Sequence, residues 1–368
     1  MADAQAGAVL SWGAGDTGQL GDGTTEDRHA PGPVTSLLRA DVDQLVAGGV
    51  SSGSAFVLAR TCSTVKAWGD NVTGQLGNGG TEDQLVPGSV PGLANIKDIA
   101  AGGSHALALD SSGQVYSWGD NAYGQLGNNR TGDMRTAPDR VQGMPKVKQI
   151  AAGFDFSLAL LENGKVYAWG RGVHGQIGIG SRATSSVPRQ VTGLENIVAI
   201  SAGGHHALAL TADGTVKSWG YNLYGQLGNS STKSSTVPVD VDWLEGVQTI
   251  VAGTHHHYAV TANGNVWGWG SNQDGQLLEG DETFGDNASR TNRTAPVEIP
   301  RLKGAKVLTA GAQHGLAIIG DSVHAWGNNA EGQLGNGTAT SGFDAVKLPG
   351  SGYKAVIASL GGNTTYVY

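Results

Sequence analysis

Ten histidines are spread over 368 residues, and three of them are consecutive: His255, His256 and His257 in the stretch GTHHHYAV. Imidazole nitrogens bind zinc and move protons near neutral pH, so the triplet raises both metal binding and acid-base chemistry. Strand geometry argues against one ion held by all three. Neighbouring side chains of an extended strand point to opposite faces, so the three rings cannot converge. His205 and His255 occupy equivalent turns of adjacent repeats and are the pair able to approach one another. A second constellation is Asp155, Arg171, His174 and His205, a carboxylate, a guanidinium and two imidazoles that would form an acid-base set if they met above a central channel. No nucleophile accompanies them. The chain has no G-x-S-x-G elbow, no H-E-x-x-H pair and no glycine-rich phosphate cradle. The expectation is therefore a binding protein and not an enzyme, with no catalytic residue, no metal and no cofactor. A lyase or hydrolase with its site at the channel mouth is the alternative.

The elements that must position these residues are repeats. Trp-Gly occurs at Trp12, Trp68, Trp118, Trp169, Trp219, Trp269 and Trp326, a period of roughly fifty residues. Each is followed at fixed distance by Gly-Gln-Leu-Gly: Gly18–Gly21, Gly74–Gly77, Gly124–Gly127, Gly175–Gly178 (with Ile177), Gly225–Gly228, Gly275–Leu278 and Gly332–Gly335. Leu278 alone breaks the final glycine. Before most of them stands a third element, such as IAAGGSHALAL from Ile99 or ISAGGHHALAL from Ile200. His256 aligns there with His105, His206 and His314, which assigns it a structural role, hydrogen bonding at the turn. His255 and His257 are the additional members of the triplet.

Each unit reads as a short apolar strand, a turn, an alternating strand, a glycine-containing turn and a strand ending in Trp-Gly. That is a β-meander with an irregular outer segment, the blade of a propeller. The predicted fold is all-β: seven four-stranded antiparallel blades forming one domain over residues 1–368. The ring is closed by pairing the strand AVLSWG, Ala8 to Gly13, with the last copy, IASLGGNTTYVY. Inner strands rich in small residues, with Ala100, Ala101, Ser201 and Ala202, suit convergence on an axis. Leu107 and Leu109 alternate with Ala106 and Ala108 and give each blade one bulky and one small face. The polar stretch 279–296 reads as an outer loop insertion.

Composition agrees. Sixty glycines and 15% charged residues fit tight turns between short strands. A net charge of -8 opposes phosphate backbones, so no nucleic acid is expected, and it favours a partner with basic features. The one cysteine, Cys62, allows neither an intrachain disulfide nor a cysteine zinc site. No apolar run is long enough to cross a bilayer, and no membrane association is expected. The first residues show no signal peptide, which leaves secreted and cytoplasmic locations open, and the expected state is a monomer.

The combination A-G-x-x-H-x-L-A-L followed by W-G-x-N-x-x-G-Q-L-G resembles the regulator of chromosome condensation repeat family over essentially the whole chain. The resemblance implies a seven-bladed propeller, in a family that includes exchange factors for a Ras-like GTPase, an ultraviolet-B photoreceptor, ubiquitin-ligase modules and bacterial inhibitors of β-lactamase. The photoreceptor branch places tryptophans at the A-G-x-x-H turn, where this chain has none. The exchange-factor branch implies a basic tail and a long insertion after one Trp-Gly, and neither is present. The binding and inhibitor branch is closest in character, with guanine-nucleotide exchange as an alternative.

In a meander, alternate turns lie at opposite ends, so the A-G-x-x-H turn and the loop after Trp-Gly share a face. On that face the middle units present Tyr123, Phe154, Asp155, Arg171, His174, His205, Tyr221, Leu223, Tyr224 and His255, where other units carry small or polar residues. Aromatic and arginine side chains dominate binding hot spots. These ten are the predicted partner-binding crescent of a non-enzymatic scaffold that grips another protein. Its histidines predict an affinity that changes between about pH 5 and 8.

Overall fold

Alternation along HALALD sends leucines to one side of a strand and alanines to the other, and both sides are used for packing between blades. The computed structural model describes residues 7–278, 290–346, 348 and 351–368. In it Leu107 and Leu109 pack with Ala152, Ala159 and Trp169 of the following blade, while Ala106 and Ala108 pack with Phe56 and Leu58 of the preceding one. Bulk on one blade thus fills the space left by small residues on the next, which is how flat wedges reach interior packing density.

The strands form seven four-stranded sheets, each a meander. The Trp219 blade is representative: inner strand Ile197–Ala202, then His206–Thr211, Val216–Gly220 and outer strand Ser235–Asp240, with every neighbour antiparallel. The closing blade draws on both ends of the sequence. Val356–Ala358 and Thr364–Val367 are followed by Ala8–Gly13 and Arg28–Leu38, with Leu10 opposite Val367 and Trp12 opposite Thr365. The predicted ring closure is this pairing. Among the described residues no helix is long and apolar enough to cross a membrane.

The seven repeat tryptophans are fully buried. Each indole Nε1–H donates to the main-chain carbonyl of the motif glutamine in the preceding blade: Trp12 to Gln333, Trp68 to Gln19, Trp118 to Gln75, Trp169 to Gln125, Trp219 to Gln176, Trp269 to Gln226 and Trp326 to Gln276, at 2.8 to 2.9 Å. A buried indole needs a partner for its N–H, and the ring of blades supplies one at every joint. The final motif glycine makes room for this contact. At Gly178 φ is +67°, and a Cβ would lie 2.8 Å from Trp219 Nε1. Leu278, which stands in that place once, also takes positive φ, +50°, and packs against the cluster containing Trp326 and Tyr258.

The small inner-strand residues line an axial channel of about 300 Å³. Polar side chains there tie one inner strand to the next: Gln44 Nε2 donates to Asp98 (2.8 Å), and the N–H groups of Ile150 and Ile200 donate to Asp98 (3.2 Å) and Gln149 (3.0 Å). One boundary differs from expectation. Of the stretch 279–296, residues 279–289 lie outside the described residues, but the loop does not run to Pro296, because the outer strand of the Trp269 blade is Arg293–Glu298. Its polar, threonine-rich start hides it, since an outer strand has one solvated side and carries little apolar signal.

Candidate functional site

In every blade the turn before the second strand and the loop after Trp-Gly are joined by a main-chain hydrogen bond. Arg171 N–H donates to Asp155 O (2.9 Å), Tyr221 to His205 (3.0 Å), Ser271 to His255 (2.8 Å) and Asp120 to Ser104 (2.8 Å). The two segments therefore emerge together on one face. The motif glutamine then sets the loop: the N–H groups of Tyr123, His174 and Tyr224 donate to the side-chain oxygens of Gln125 (2.8 Å), Gln176 (2.9 Å) and Gln226 (2.8 Å). Buried Asn222 pins the remainder, accepting from Leu227 N–H (2.8 Å) and donating to the carbonyls of Ser231 and Lys233, both at 3.0 Å. In the Trp169 blade Gly172 replaces this asparagine, and a Cβ there would lie 1.9 Å from Ala183 O. Sequence reasoning missed these positioning glutamines and asparagines, although their recurrence in W-G-x-N and G-Q-L-G was the available signal.

On this scaffold nine of the ten predicted residues form two contact groups, joined through the main chain at Phe154 and Asp155. In the first, the Arg171 guanidinium sits 4.6 Å from the Tyr123 ring centre and pairs with Asp155 at 3.0 Å. In the second, Phe154 meets His205 edge-on at 5.2 Å, His205 meets His174 at 5.2 Å, and His174 meets Tyr221 at 5.0 Å. The run continues from Tyr221 to Tyr224 and His255 at 6.4 Å each, with Tyr224 and His255 5.2 Å apart. These distances fall within the range of favourable aromatic contacts. Leu223 stands apart at the loop tip, 57% exposed. Phe154 and His255 also line a depression of about 350 Å³ at the channel mouth, with Val50, Thr254, Gln313 and Asn363.

Electrostatics alter one expectation. Burial holds His205 and His255 at about 4, with the neighbouring His174 and Arg171 adding to the effect at His205. Burial and then Arg171 lower His174 as well. His205 and His255 are therefore neutral over most of the pH 5 to 8 window in which the sequence predicted a change of affinity, because packing removes the water that would stabilise their cations. Burial raises the Asp155 carboxyl, and the Arg171 hydrogen bond works against that shift.

The triplet separates as strand geometry requires. His255 belongs to the crescent, while His256 and His257 are fully buried. The repeat histidine does hydrogen-bond in two blades, though across the blade joint to the next blade's second strand and not at its own turn: His105 Nε2 meets Ser157 Oγ (2.9 Å) and His314 Nε2 meets Thr365 Oγ1 (3.1 Å). It fails in two others: neither ring nitrogen of His206 or His256 has a partner among the described residues. The reason lies in the next blade. The position filled by Ser157 and Thr365, opposite the repeat tryptophan, is His257 after His206 and Gly315 after His256. His206 and His257 instead meet edge-on at 4.4 Å. Among the described residues no group of three or more His, Cys, Asp or Glu is placed to hold a metal ion.

These features define the class: a seven-bladed propeller of Trp-Gly repeats whose loops are fixed by motif glutamines. The family model described as the RCC1-like domain matches residues 4–367, and the chain belongs to that family. It is 34% identical over 184 residues to the ultraviolet-B receptor UVR8 of Arabidopsis thaliana, an alignment covering 49% of this chain and 41% of that protein. It is 32% identical over 177 residues to the regulator of chromosome condensation of Xenopus laevis, covering 47% and 40%. The alignments thus cover less than half of either relative. Among solved structures, yeast RCC1 (Prp20) bound to Kap60 superimposes with a TM-score of 0.81 at 24% identity over 99% of this chain and 88% of that one. Human WBSCR16 does so with a TM-score of 0.81 at 24% identity over 98% of each. At that identity both speak to the fold alone.

Proposed function

We propose that this protein is a non-enzymatic scaffold that grips a partner protein through the crescent running from Tyr123 to His255. The observation that carries the reading is the contact run itself. Four aromatic side chains, three histidines and an arginine are held on one face of adjacent blades, with backbones fixed by buried glutamines, so little side-chain entropy is left to lose on binding. The chemistry supports binding over catalysis. Imidazoles held at about 4 are poor bases near neutral pH, and the one carboxylate of the predicted acid-base set is engaged by Arg171.

The test is capture of a partner, followed by titration of the purified pair. Phe154→Ala with Tyr224→Ala removes two ring anchors and is expected to weaken binding by about 100-fold or more, with unchanged thermal unfolding. Binding within about threefold of wild type would refute the assignment. Guanine-nucleotide exchange, suggested by similarity to the regulator of chromosome condensation, is separated by nucleotide release from a small GTPase, which this protein is expected not to accelerate. Turnover of a small molecule abolished by changing His205 or His174 would favour an enzyme instead.

A further inference from the structure

Trp243 is 76% exposed, more than any other large apolar side chain among the described residues. It lies in the connection from outer strand Ser235–Asp240 to inner strand Val247–Ala252 of the next blade. That connection packs against the hairpin turns at the far end of the blades, with Val247 N–H bonded to Gly214 O (3.0 Å) and Ala262 N–H to Gly246 O (2.9 Å). It is therefore on the face opposite the crescent.

The repeats show what the fold requires at this position. Gly92, Gly143 and Gly193 occupy it in three preceding connections, with φ of +80°, +74° and +71°. Trp243 adopts φ of +57°, a left-handed conformation disfavoured for a bulky side chain. A Cβ at any of the three glycines would meet nothing within 4 Å, so the site opens to solvent and offers a side chain no packing. Tryptophan here strains the backbone without filling the core.

The surroundings indicate what would cover it. Asp242 and Glu245 flank Trp243 in sequence, and Asp213 sits in the hairpin turn beside the connection. Asp240 is engaged by Lys217 at 2.6 Å, but among the described residues no lysine or arginine pairs with Asp213, Asp242 or Glu245. Asp242 accepts a hydrogen bond from Ser230 Oγ (2.6 Å) but carries no ion pair, and an exposed indole on a connection that bears such carboxylates matches a planar cation, because a guanidinium can stack on a ring and hydrogen-bond to carboxylates. We propose that Trp243, with Asp213, Asp242 and Glu245, forms a second docking site that captures an arginine-rich segment of a partner.

The probe is fluorescently labelled hexa-arginine, compared with hexa-lysine and hexa-glutamate by anisotropy at about 50 mM salt, where surface charge is weakly screened. Trp243→Gly installs the residue that three other blades use, so the variant is expected to fold. Wild type is expected to bind hexa-arginine several-fold tighter than hexa-lysine and to ignore hexa-glutamate. Trp243→Gly should weaken hexa-arginine binding about tenfold, Asp242→Asn with Glu245→Gln about fivefold, and Trp243→Phe should retain most of it. The crescent variant Phe154→Ala with Tyr224→Ala should bind hexa-arginine like wild type, which keeps this site separate from the proposed function. Hexa-arginine binding that Trp243→Gly leaves within about twofold would overturn the proposal, since attraction to the net negative surface would then explain it. So would retention of a neutral oligosaccharide such as cellohexaose, lost in Trp243→Gly, together with no preference for the arginine peptide.

Discussion

Replacing His256 by phenylalanine should make the protein more resistant to acid by an amount the structure lets us work out. His256 is fully buried with neither ring nitrogen hydrogen-bonded among the described residues, and burial holds it at about 3, from an ordinary value of 6.5. Above pH 6.5 it is neutral in both the folded and the unfolded chain and contributes no pH dependence. As pH falls below 6.5 the unfolded chain takes up a proton that the folded state refuses, so stability drops progressively until about pH 3. At pH 5 the loss from this residue is about 2 kcal/mol. His105 and His314, also buried and held at about 4, each act in the same sense and add about 2 kcal/mol apiece at pH 5. Three such groups amount to much of the ~5–15 kcal/mol that stabilises an ordinary domain. Phenylalanine suits the site because Phe56 and Phe156 occupy this position in other blades, with their rings over the turn glycines Gly48 and Gly153 as His256 lies over Gly253. Urea unfolding at pH 7.5 and pH 5 should show His256→Phe losing about 2 kcal/mol less than wild type between the two conditions. Equal losses would mean that the imidazole is solvated or paired in the folded state, and the account of these buried rings would be wrong.

Other expectations concern the blade joints and the crescent. Gly178→Ala places a Cβ 2.7 Å from Val191 Cγ1 and 2.8 Å from Trp219 Nε1 at φ +67°, and should cost about 2–4 kcal/mol in urea unfolding. A loss under about 1 kcal/mol would show that the indole can move aside. His205 and His255 are already neutral above about pH 5.5, so their titration should leave partner affinity flat from there to pH 8 and weaken it as the pH approaches 4 and protonation puts charge into a desolvated contact. A change above about tenfold between pH 8 and 6, measured by titration calorimetry, would contradict this.

The fold was legible because its constraints repeat. The tryptophan that wedges each blade and the glycine that lets its indole approach recur at the same spacing, so both period and meander could be read without tertiary knowledge. The common face of the turns followed from strand alternation. Less legible was whatever depends on the neighbouring blade. His105 and His206 look identical in sequence, yet one finds Ser157 and the other His257 across the joint. The lowered basicity of His174, His205 and His255 was hidden for the same reason, since it comes from burial among rings contributed by three blades. Trp243 went unremarked because its oddity appears only beside the three glycines it replaces.

Ring closure also sets a timetable. Trp12 leaves the ribosome 321 positions ahead of Gln333, the residue whose carbonyl receives its indole hydrogen, and even longer before Thr364–Val367 can pair with its strand. At ~5–20 residues per second that interval is tens of seconds, during which Leu10 and Trp12, which pack among Leu316, Ile318, Leu334 and Val367, have no native place to hide. The other six sheets can assemble one after another as they are synthesised. Completing the wheel must wait until Thr364–Val367 has been made, so a chaperone that shelters the Ala8–Gly13 segment should raise the yield of folded protein more than one acting on any later blade.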